Sequence, residues 1–239
     1  MMTKRYCAEV IGTFIIVFAP VALSASGKQV GGDPGLFAAA LVSGLAVLAA
    51  IYALGPISAA HFNPAVTIAF ATAKRFPWRF VAPYIVSQLI GATLAAGAVA
   101  LLFSPGFGTH VPAHPDLIFR NLGTEGILSF MLMLVIIAVA TDKRISGTVP
   151  AIAIGFTVVF DVLIGGPITG GSMNPARSFG PAIFAGGQAL SCYWLYIVGP
   201  CIGAVCGALI FEAVRLEKVH AKGAPNELLE ALEDVSSEK

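Results

Sequence analysis

Residues 57–70 read ISAAHFNPAVTIAF and residues 168–181 read ITGGSMNPARSFGP. The triplet Asn-Pro-Ala thus occurs at Asn63-Pro64-Ala65 and again at Asn174-Pro175-Ala176, its asparagines 111 positions apart (174 − 63). Proline is tolerated at the first helical position and Asn is a favoured N-cap, so each triplet predicts a helix start. Each helix must also stop early. The stretch from Asn63 ends near Ala73 and that from Asn174 near Phe184, about 15 Å of helix at ~1.5 Å per residue. Neither crosses a hydrocarbon core of ~30 Å.

The rest of the chain supplies that core's other occupants. Of 239 residues, 57% are hydrophobic and 11% charged, too few polar groups to cover a soluble domain, so the composition predicts a membrane protein. Apolar runs at about 8–23, 36–54, 80–103, 126–140, 149–165 and 193–214 predict six spans. Lys4 and Arg5 before the first run, with ALSAS after it, imitate a secretory signal. Glu9 within the run and five further spans favour an uncleaved first helix. Cys7, Cys192, Cys201 and Cys206 lack ligand spacing and read as packing residues. A net charge of +1 gives no hint of nucleic-acid binding. Lys4, Arg5, Lys74, Arg75, Arg79, Lys143, Arg144, Arg215 and Lys218 fall on one side of the spans, against Lys28, Arg120 and Arg177 on the other. That asymmetry predicts a multi-pass protein of the plasma or inner membrane with both termini cytoplasmic.

The two triplets also reveal an internal repeat. Ala8-Glu9 opens the first half and Thr124-Glu125 the second, each about fifty residues before its triplet. An odd number of spans per half forces the halves to cross in opposite directions. The expected fold is therefore an all-α membrane protein with six transmembrane helices, two re-entrant half-helices and an inverted 3+3 repeat. Repeat 1 covers about 5–103 and repeat 2 about 121–215. A charged cytoplasmic tail, 216–239, follows, with a short amphipathic helix opened by Asn226. Irregular backbone at mid-membrane must be buried in protein or line a wet cavity, so ISAAHF and ITGGSM imply a cavity. Gly199, Gly203 and Gly207, and in the third span Gly91, Ala95 and Ala96, allow close helix approach. The external stretch 104–120 carries His110 and His114 with no third ligand nearby, and no metal or other cofactor is inferred.

Together, AExxGTF with Glu9, Glu125 in the fourth span, SAAHFNPAVT and GSMNPARSFGP resemble the aquaporin family of water and small-solute channels, over about residues 5–215. The resemblance implies a passive channel, not an enzyme, assembled as a homotetramer with a pore in each subunit. It implies that Glu9 and Glu125 accept hydrogen bonds from the Asn-Pro-Ala loops as structural support. Backbone carbonyls of Ala59, Ala60 and His61 and of Gly170, Gly171 and Ser172 would line the pore. Electrostatics agree: two half-helix N-termini, each with roughly half a positive charge, would face one midplane point beside the amides of Asn63 and Asn174. That opposes cations and interrupts a proton wire, while neutral molecules pass.

Counting from the asparagines, the family's selectivity constriction falls at Ser43, Val162, Gly171 and Arg177. Water-specific members usually place an aromatic at the first position and a histidine at the second. Ser43 and Val162 remove that bulk, and the combination resembles members that pass glycerol, urea or undissociated metalloid hydroxides. Ser178, by contrast, follows the water-channel habit, since Asp is typical of glycerol channels. A strictly water-selective channel is the alternative and a coupled transporter a more distant one. Asp161 could pair with a nearby polar group or sit in the vestibule. Helical geometry turns it about 100° away from Val162, which favours a structural role.

Overall fold

The computed structural model describes residues 2–141 and 149–215. The basic pair Lys143-Arg144 and the tail 216–239, including the expected helix at Asn226, lie outside the described residues. All regular structure in the described residues is helical. Six segments are long and apolar enough to cross a membrane. They contain α1 (Met2–Gln29), α2 (Gly35–Ser58), α4 (Val81–Leu102), α5 (Ile118–Thr141), α6 (Val149–Thr169) and α9 (Leu195–Val214). Between them lie two short helices, α3 (Pro64–Thr72) and α7 (Pro175–Ala185). One turn, α8 (Gly187–Ser191), leads toward α9.

Four of the spans, α1, α2, α5 and α6, overrun the apolar runs that announce them. Helix α1 begins at Met2 rather than near residue 8 and takes Arg5 and Glu9 into its buried face. A hydropathy count treats Lys4 and Arg5 as the span's edge, whereas the helix runs through both and buries Arg5. The helix also continues through Pro20.

Packing repeats between the halves. Helix α1 packs on α4 as α5 packs on α9, and α2 packs on α6 across the centre. The half-helices are exchanged: α3 lies against α9, and α7 against α4. Small residues set the approach. A Cβ on Gly203 of α9 would overlap the Gly126 carbonyl of α5, and one on Gly91 of α4 the Val10 carbonyl of α1. The outer surface carries large exposed apolar side chains, among them Leu45, Leu94, Ile127, Phe156 and Ile202, as a lipid-facing wall requires.

Candidate functional site

Each half-helix starts where its Asn-Pro-Ala triplet predicts. Asn63 (φ −153°, ψ 120°) caps α3, its Oδ1 accepting from Ala65 N, and Asn174 (φ −147°, ψ 109°) caps α7, accepting from Ala176 N and Arg177 N. The other end of each amide crosses to the opposite loop. Asn63 Nδ2 donates to Met173 O and Asn174 Nδ2 to Phe62 O, both at 2.9 Å. One hydrogen of each amide thus ties the loops together, and a second remains.

The loops reach this crossing by an unusual backbone. Ala59, Ala60, Phe62 and Met173 adopt positive φ (66°, 53°, 49° and 55°), as do Gly170 and Gly171 (93° and 63°). Left-handed geometry at a non-glycine residue costs about 1 kcal/mol or more, and the buried carboxylates hold it in place. Glu9 accepts from Ser58 Oγ (2.7 Å), His61 N (3.1 Å), Phe62 N (2.8 Å) and Gln88 Nε2 (2.8 Å). Glu125 accepts from Thr169 Oγ1 (2.7 Å), Ser172 N (3.0 Å) and Met173 N (2.8 Å). The first three partners of Glu9 and the three of Glu125 are related by the same offset of 111 (169 − 58, 172 − 61, 173 − 62) that separates the two triplets. Tyr84 and Tyr196 complete the correspondence by donating to Ser58 O and Thr169 O.

A cavity of about 630 Å³ runs past both triplets. Its wall includes Ala59, Ala60, His61 and Asn63 of one loop, and Gly170, Gly171, Ser172 and Asn174 of the other. The structure brings Ser43, Val162, Gly171 and Arg177 to the same cavity. Ser43 Oγ donates its hydrogen to Ala39 O (2.8 Å), so toward a solute it can only accept. Arg177 Nη1 donates to Gly108 O (2.9 Å), and no carboxylate among the described residues forms an ion pair with it. Its other guanidinium donors are available to the cavity. Val47, Ile51, Leu132, Val158 and other apolar side chains make up much of the remaining wall.

Two features were not legible in the sequence. The external loop folds inward, so Gly108, Thr109 and His110 line the cavity, with His110 only 8% exposed. A loop histidine among prolines carries no pattern that announces burial. Toward the other end of the cavity lies Arg75, which donates from Nε and Nη2 to Glu212 of α9 (3.0 and 2.8 Å), while Arg215 bonds the same carboxylate. The partners Arg75 and Glu212 are 137 residues apart, so neither sequence nor helix periodicity could pair them. Asp161 is fully buried on α6, does not line the cavity, and neither carboxylate oxygen has a hydrogen-bond partner.

Comparison with known proteins agrees with this architecture. The family model described as major intrinsic protein matches residues 1–211. The chain is 46% identical over 215 residues to aquaporin NIP1-1 of Oryza sativa subsp. japonica, covering 89% of this chain and 74% of the relative. It is 44% identical over 225 residues to aquaporin NIP1-2 of Arabidopsis thaliana, covering 89% and 74% respectively. Among solved structures, the aquaglyceroporin from Plasmodium falciparum superposes with a TM-score of 0.81 at 25% identity, covering 90% of this chain and 97% of that one. Six spans and two half-helices around one cavity, with relatives this similar, place the protein among membrane channels. The chain belongs to the major intrinsic protein family, the aquaporins, and is a multi-pass channel for small solutes, not an enzyme.

Proposed function

We propose that the channel conducts water together with larger uncharged solutes, namely glycerol, urea or undissociated metalloid hydroxides, down their gradients, and excludes protons and ions. The observation that carries this reading is the make-up of the constriction: Ser43, Val162 and Gly171 are small, and Arg177 is the one residue of the four with a long side chain. A solute passing there exchanges its hydration for donors on Arg177, acceptors on Ser43 Oγ and the carbonyls of Gly170, Gly171 and Ser172. It then meets Asn63 and Asn174, and beyond them the carbonyls of Ala59, Ala60 and His61. Charge is rejected twice, by the uncompensated Arg177 guanidinium and by the two half-helix N-termini.

Glu9 and Glu125 act as supports that hold the loops, not as proton carriers. The functional unit is a homotetramer in the plasma or inner membrane, its termini cytoplasmic, each subunit conducting independently. Proteoliposomes in a stopped-flow light-scattering instrument test the proposal: water shrinkage followed by reswelling on urea or glycerol entry is expected, and water flux without solute entry would contradict it.

A further inference from the structure

Among the cavity-lining side chains that the proposed pathway leaves without a role is His110. His110 reaches the cavity from the external loop, far from any position that sequence alignment of the two halves would select. Its surroundings constrain it on every side but one. Nδ1 lies 2.9 Å from Ser178 Oγ, the ring is tilted against Tyr196 with centroids 5.5 Å apart, and the Cδ2 edge lies over Gly170, where an added Cβ would sit 2.6 Å away. Among the described residues Nε2 has no hydrogen-bond partner, it is not among their sealed, unpartnered atoms, and His110 lines the cavity, so this nitrogen is the ring's free polar atom toward it.

The hydroxyls decide which ring nitrogen carries the proton. Ser172 Oγ donates to Asn174 O (3.0 Å), and Ser172 and Ser178 share a short hydroxyl–hydroxyl contact. With the Ser172 hydrogen spent on Asn174, the Ser178 hydroxyl donates to Ser172 and must accept from His110. All three bonds form only if His110 carries its hydrogen on Nδ1; the reverse order forfeits the bond to Asn174. The same device stands in the other half. Thr67, the counterpart of Ser178 (178 − 67 = 111), donates to Asn63 O (2.9 Å) and so accepts from His61 Nδ1 (3.1 Å). Burial, and then the nearby Arg177 cation, hold the His110 imidazole neutral by pushing its pKa well below the usual histidine value.

We infer that His110 is a specificity-determining residue of the external constriction, its tautomer locked by the Ser178–Ser172–Asn174 relay so that Nε2 is a fixed hydrogen-bond acceptor beside the donors of Arg177. The pair fits a neutral solute carrying a donor next to an acceptor, such as a polyol or an amide. One solute oxygen accepts from Arg177 while an adjacent O–H or N–H donates to Nε2. Water can use either group in turn and depends on the pair less. This inference rests on the proposed passage of solutes larger than water, but its tautomer component stands apart from any flux.

Two measurements test it on the full-length protein in liposomes. In the permeability assay, His110→Phe keeps an aromatic ring and removes the acceptor. Glycerol and urea permeability should fall about tenfold relative to water, the loss of roughly one hydrogen bond, and His110→Gln, which restores an acceptor, should recover most of it. An unchanged solute-to-water ratio in the Phe variant overturns the proposal. In the second, nitrogen-15 magic-angle-spinning NMR of histidine-labelled protein, with the His110→Gln spectrum as assignment, should show neutral imidazole protonated on Nδ1. Ser178→Ala should shift it toward the Nε2–H form. A wild-type ring protonated on Nε2 overturns the proposal. Should the Phe variant fail to assemble, the wild-type tautomer decides; should the wild type pass water alone, the proposed function falls while the NMR result still judges the lock.

Discussion

At the scale of single residues, the proposed pathway divides size from charge. Ser43, Val162 and Arg177 all line the cavity, and in the proposal the first two set the opening while Arg177 turns cations away. We expect Ser43→Phe with Val162→His to suppress glycerol and urea permeation far more than water permeation in stopped-flow measurements; equal losses would mean these positions do not govern size. Arg177→Val should admit protons and small cations, read as dissipation of an imposed pH gradient by an internal fluorescent dye. For pH the sign follows from His110: its imidazolium is disfavoured by burial and by Arg177, so the ring stays neutral well below the ordinary titration range of histidine. Solute flux should therefore stay level between about pH 7 and pH 6, a window spanning the ~6.5 of an unperturbed histidine, and a sigmoidal step there would contradict this assignment. At this scale the sequence was informative for residues tied to a motif. Counting from Asn63 and Asn174 reached Ser43, Val162, Gly171 and Arg177, all on the cavity wall. His110 escaped because a folded-back loop has no periodicity. Asp161 was turned from the cavity by its helical angle, but no partner for it emerged.

At the scale of elements, the half-helices depend on acceptors buried behind them. Glu125 holds Thr169 Oγ1, Ser172 N and Met173 N. Glu125→Ala leaves these three groups without that acceptor, and at ~1–3 kcal/mol per unpaired buried group the variant should unfold at a clearly lower temperature in detergent. An unaltered melting curve would mean that water or a neighbouring group replaces the carboxylate. Close approach is equally exposed to test. A side chain at Gly203 meets the backbone of Gly126, which has no rotamer to change. Gly203→Leu should therefore separate α9 from α5 and abolish a monodisperse peak on size exclusion. Helix starts at Pro64 and Pro175 were legible because Asn and Pro each have a local reason to stand there. The outer limits of α1 were not, since an apolar run stops at the Lys4-Arg5 pair, whereas the helix extends back to Met2 and buries Arg5.

At the scale of the whole molecule, the inverted repeat explains why two short helices suffice. Neither half-helix could be stable alone in lipid, but each packs on the third long helix of the opposite half and each capping amide bonds the opposite loop. The wall so formed combines small, apolar and donor surfaces in one cavity of about 630 Å³. The most direct measurement of the central claim is a single proteoliposome experiment that follows water, urea, glycerol and proton flux in the same preparation. Our account predicts rapid water movement, measurable urea and glycerol entry, and no dissipation of a pH gradient beyond that of empty vesicles. Water movement alone, or a protein-dependent proton leak, would contradict it.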